Sequence, residues 1–79
     1  MPTELTEAQR ETARRMRSVL AKDLLQCERS MLHYDIKAQD GFRRLADSFW
    51  YASCKASGQS PDIGYEPAPG NWWQRPEVW

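Results

Sequence analysis

Between Thr3 and Asp40 the chain contains neither proline nor glycine, whereas Gln59 to Trp79 holds four of its five prolines and three of its four tryptophans. The first stretch is free to be helical, since the two residues that most strongly break a helix are missing from it. The second cannot continue a helix. Its indoles each carry on the order of 150–250 Å² of mostly apolar surface and must lie on something, either this chain's own helices or another molecule. Residues 1–58 are therefore read as a helical body and residues 59–79 as a Pro/Gly/Trp-rich tail of the same single domain, giving an all-α fold in which the tail packs on an antiparallel hairpin.

The local signals sharpen this outline. Thr6 and Gln9 have capping-box spacing, which starts the first helix there. Ala13, Met16, Leu20, Leu24, Cys27, Met31, Tyr34 and Ala38 then recur in steps of three and four, the period of one helical face. Nothing interrupts the pattern before Asp40-Gly41, where the hairpin is expected to turn. A helix that long would reach ~50 Å, which leaves room for a kink within residues 22–29. Ala21, Leu25, Leu32 and Ile36 form a second apolar line nearly opposite the first, and this segment wants cover on two sides. The second helix is placed from Gly41 to Ser57, with Asp40 as N-cap, Gly58 as left-handed C-cap, and Phe42, Leu45, Phe49, Ala52 and Ala56 facing inward. Turn chemistry in the tail falls at Ser60-Pro61-Asp62 and Pro69-Gly70-Asn71.

Phe49, Trp50 and Tyr51 cover too much of the second helix to face one neighbour. The returning tail is expected to close over Trp50 with Tyr65, Trp72 or Trp73, and to cover the Leu25/Leu32/Ile36 line. Trp79 is expected to stay outside. A chain of 79 residues buries only about 60% of its unfolded surface, so such cover matters to its stability.

Several functions are disfavoured by composition. Eleven basic and eleven acidic residues balance, which removes the footprint of a protein that grips a phosphate backbone, so nucleic acid is not the expected partner. No stretch has the length of a membrane span, and the charged N-terminus lacks a signal-peptide core, which points to the cytoplasm. The two cysteines, Cys27 and Cys54, are too few for a disulfide scaffold and are read as thiols, because their helical directions disagree. The lone histidine, His33, beside Tyr34 and Asp35, has no partner in helical register and reads as a surface residue. No catalytic, metal or cofactor site is expected.

Arg10, Arg14 and Arg17 share one side of the first helix, with Glu7 and Glu11 placed to neutralise them in part. Guanidinium groups and indoles dominate protein interfaces. Arg10, Arg14, Arg17, Trp72, Trp73 and Trp79 are accordingly the candidate partner-binding residues. The leading expectation is a small non-enzymatic inhibitor or adaptor that occupies a surface of a larger protein complex. Small inhibitors made by phages and other mobile elements share this format, a parallel that rests on no particular residue. The alternatives are a structural helical homo-oligomer and a single-strand nucleic-acid binder that stacks bases on tryptophan.

Overall fold

The computed structural model describes residues 5–31, 36–62 and 64–79, and of Met31 and Ile36 it describes the backbone alone. Two helices, α1 (Glu7–Met31) and α2 (Ile36–Ala56), form a hairpin, and the tail returns along it through two short 3-10 turns, Trp72–Gln74 and Pro76–Val78. No strand occurs among the described residues. The fold is the expected all-α hairpin with a non-helical tail docked on it.

Both outer helix ends are stopped as the sequence dictates. At the start of α1, the Thr6 hydroxyl accepts from the Gln9 backbone N–H at 3.1 Å, and the Gln9 side chain accepts from the Thr6 N–H at 2.9 Å. This is the reciprocal capping box. At the end of α2, Gly58 adopts φ +88°. Its N–H bonds to the Lys55 carbonyl and that of Gln59 to the Cys54 carbonyl, each at 3.1 Å, the two bonds of a Schellman stop.

The chain does not turn at Asp40-Gly41 as expected. Asp40 and Gly41 lie inside α2, so neither caps nor precedes it, and α1 ends at Met31; residues 32–35, with His33, Tyr34 and the Leu32 position of the second apolar line, lie outside the described residues. Glycine within a helix costs about 1 kcal/mol relative to alanine. Phe42, the next residue, is buried in the core, and that burial contributes more than the glycine costs. α1 runs without a break through residues 22–29, so no kink is needed once the helix ends at Met31.

Moving the turn also rotates both buried faces. On α1 the fully buried residues are Ala13, Arg17, Ala21 and Leu24, while Met16 and Leu20 are partly buried and Cys27 is exposed. On α2 they are Phe42, Ala46, Trp50, Ser53, Cys54 and Ser57. Leu45, Ala52 and Ala56, expected to face inward, are exposed, and Phe49 is partly buried. The physical reason is Trp50. Turning α2 by about one residue, 100°, seats the largest side chain of the helix between α1 and the tail, where transfer from water contributes more than burying an alanine would. Cys27 and Cys54 consequently do not meet, and both are free thiols.

Trp72 closes the core, fully buried, edge-on to Trp50 with ring centres 5.4 Å apart. Trp73 stands edge-on to Phe42 at 5.3 Å. The tail therefore covers Trp50, Ala46 and Phe42; of the expected Leu25/Leu32/Ile36 line, Leu25 is packed at the margin of the cluster, while Leu32 and the Ile36 side chain lie outside the described residues.

Candidate partner-binding cleft around Arg10 and Arg14

The centre of the molecule is a buried cation. Arg17 is 2% exposed, and its guanidinium lies 3.5 Å from the centre of the Trp50 ring. Its Nε donates to the Ser53 hydroxyl at 2.7 Å, and Nη1 donates to the main-chain oxygen of Trp79 at 2.6 Å. Nη2 donates to Cys54 Sγ at 3.3 Å and approaches the half-exposed Glu66 carboxylate at 3.8 Å. A buried charge is tolerated only when paired and fully hydrogen-bonded, and this one ties α1, α2 and the tail together in satisfying itself. Ser53 in turn donates to the Trp50 carbonyl. Burial pushes the Cys54 thiol up from its ordinary pKa, opposed by the hydrogen bond and charge of Arg17.

Every indole N–H finds an acceptor. Trp50 donates to the Glu66 carbonyl at 2.9 Å, Trp72 to the Ala46 carbonyl at 3.1 Å, Trp73 to the Glu28 carboxylate at 3.2 Å, and Trp79 to the Trp72 carbonyl at 2.7 Å. No buried side-chain polar atom among the described residues lacks a partner. The tail is positioned by these bonds and by Gln59, whose side chain both donates to and accepts from Glu66. Asn71, at φ 52°, supplies the left-handed residue that turns the chain into Trp72.

The sequence-predicted site residues thus divide. Trp72 and Trp73 are consumed by the core, and Arg17 is its central hydrogen-bonding group, so none of the three presents a free surface. Arg10 and Arg14 are exposed, and Trp79 is partly buried. These last three, with the edge of Arg17, line one cleft of about 190 Å³ where the end of the tail lies against the first turns of α1. Its apolar walls are Leu5, Val78 and Trp79, and two carboxylates, Glu66 and Glu77, also reach it. Both carboxylates have cations of their own, Arg17 for Glu66 and Arg75 at 3.5 Å for Glu77. Arg10 has no ion-pair partner among the described residues, and Arg14 has only Glu11 at 3.9 Å, whereas Glu11 is held closer by Arg15 at 3.0 Å.

Sequence reasoning missed Ser53, Cys54 and Glu66 as the partners of Arg17. One signal was available, two serines on a face that then has to bury them, Ser53 and Ser57. Among the described residues no helix is long and apolar enough to cross a membrane, and no group of three or more potential metal-ligating side chains converges. No protein-family model, curated protein or solved structure matches this chain.

Proposed function

We propose that this chain is a small non-enzymatic protein-binding module, an inhibitor or adaptor, that seats an acidic segment of a larger protein against Arg10 and Arg14. The observation that carries the reading is the pair of underused guanidinium groups, one turn apart on α1, beside apolar walls held rigid by the core. Guanidinium forks bind carboxylates in two-point geometry, and partly apolar surroundings strengthen that contact. The free thiols Cys27 and Cys54 suit a reducing compartment, and the cytoplasm is the setting we assign. Base stacking has no comparable support, because Trp72 and Trp73 have no open ring face to offer.

The test is affinity capture from the native host with the tagged chain and its Arg10→Ser/Arg14→Ser variant side by side. A protein retained by the first and lost by the second, with both chains equally helical by circular dichroism, supports the proposal. Equal retention by both overturns it.

A further inference from the structure

The Arg10–Arg14 cleft has an anion of its own on its wall. Glu77 lines it beside Val78 and Trp79, yet pairs with neither arginine; its one ion pair among the described residues is with Arg75, two positions back, at 3.5 Å. The main chain around Glu77 is fixed. The Val78 N–H donates to the Arg75 carbonyl at 3.0 Å and the Trp79 N–H to the Pro76 carbonyl at 3.2 Å. Trp79 is tied in turn to the Trp72 carbonyl through its indole and to Arg17 through its main-chain oxygen. The carboxylate therefore hangs from a fixed point, and only its side chain, 67% exposed, is free to change partner.

Glu66, the other carboxylate of the cleft, is held differently. It approaches the buried Arg17 at 3.8 Å and accepts from the Gln59 side chain at 3.0 Å, while its own N–H donates to that same side chain at 3.3 Å. Three ties make Glu66 a set part of the wall. Glu77 has one, an exposed ion pair of the kind that holds weakly in water.

We infer that Glu77 is a tethered competitor for the cleft: when it leaves Arg75, its carboxylate takes the place on Arg10 and Arg14 that an acidic segment of a partner would take. The inference rests on the reading of this cleft as the binding site and adds how that site is regulated. Arg75 is the clasp, with Nη1 tied to the Gly70 carbonyl at 3.3 Å and Nε on Glu77. Chemistry favours the exchange, because Arg75 offers one guanidinium already shared with a carbonyl, whereas the cleft offers two whose only ion-pair partner is Glu11, at 3.9 Å from Arg14. A carboxylate on a short tether acts at a millimolar effective concentration or above. An incoming ligand must displace it, and its apparent affinity falls with the fraction of chains in which the cleft is open. One exposed ion pair changes that fraction by at most about fivefold, so the clasp tunes binding and does not switch it off.

The experiment reads the side-chain Nε–H resonances of Arg10 and Arg14 by nuclear magnetic resonance in the full chain, with no ligand added. Arg75→Gln should shift them and slow their exchange with water, since Glu77 then bonds to the cleft. Adding Glu77→Gln should abolish that shift. Resonances indifferent to Arg75→Gln overturn the inference, and so does a shift of equal size in the doubly substituted chain, which would come from the lost Arg75 charge alone. Both positions are exposed, so helicity should stay unchanged. Because no partner is present, this result is independent of the capture experiment: failure to retain any protein through Arg10 and Arg14 removes the binding reading, while the Glu77 contact is still decided here. With a retained protein in hand, Arg75→Gln should lower its affinity by up to about fivefold and Glu77→Gln should raise it. Affinity unchanged in both variants overturns the regulatory role.

Discussion

The tail side of this hairpin and its open side, the one facing away from the tail, are made by the same two helices, from residues adjacent in sequence, yet they are built in opposite ways. Trp50 is fully buried beneath Trp72 and Tyr51 lies against Tyr65 of the tail, while of their neighbours Phe49 is partly buried at the margin of the core and Ala52 is exposed. On the covered side polar groups are numerous and each is satisfied: four indole N–H groups, one guanidinium and two serines. On the open side Leu45, Ala52 and Ala56 are apolar and exposed. A buried polar network has fixed directions and needs particular partners, which the chain must bring itself. Apolar side chains make no such demand, and at Leu45, Ala52 and Ala56 they remain exposed.

The largest effect should come from the covered side. Trp72→Ala should cost about 3–5 kcal/mol, against a total near 4–12 kcal/mol for a chain of this length. A chain ending at Gly58, which lacks both buried tail tryptophans, should show no cooperative thermal transition. If it melts like the full chain, the tail is no part of the core and the contrast between the two sides disappears.

Arg17→Met sharpens the contrast by keeping the aliphatic stem while removing the donors to Ser53, Trp79 and Cys54. It should cost about 1.5–3 kcal/mol by chemical denaturation, since the acceptors lose a charged donor. Glu66→Gln should cost no more than about 1 kcal/mol, because that carboxylate is half exposed and its ion pair is screened. A larger loss from Glu66→Gln than from Arg17→Met would show that the ion pair, and not the hydrogen-bond network, holds the guanidinium.

The open side should respond least. Leu45→Ser and Ala56→Ser, at exposed positions, should each change stability by about 0.5 kcal/mol or less. A loss of several kcal/mol from either would mean that this side is packed within the single chain.

The two thiols provide the mildest probe. Cys27 is exposed and should react with a thiol reagent at once, whereas Cys54 should react only as the chain unfolds. The Cys54 thiol has its pKa raised from 9.0 by burial. A folded pKa above the unfolded one means that the native state holds its proton longer. Stability from this group is therefore complete below pH 9 and declines as pH climbs from there through the folded pKa. The decline should vanish in Cys54→Ala; its persistence there would assign it to another group.

Much of the fold was legible in the amino-acid sequence. The Thr6/Gln9 cap, the Gly58 stop, the absence of strand among the described residues and the folding back of the tail onto Trp50 all rest on local chemistry, in which partners lie within a few residues or one residue type dominates the energetics. The site was legible only in part. Arg10, Arg14 and Trp79 do line one cleft. Trp72 and Trp73 satisfied the same sequence criteria and instead build the core, because an indole suits an interface and an interior for the same reason.

What the sequence determined by itself, then, was the helical class, the outer ends of the helices and the need to bury the tail, since these follow from hydrogen bonds and propensities that act along the chain. The tertiary structure alone decided that Asp40 and Gly41 belong inside α2, which of two adjacent lines on each helix faces inward, and that Arg17 belongs to the interior. Neighbouring lines on a helix differ by one residue and offer similar apolar area, so periodicity cannot rank them. The choice was made by Trp50, Trp72 and the Arg17 guanidinium fitting together at one height, a condition involving residues up to 62 positions apart.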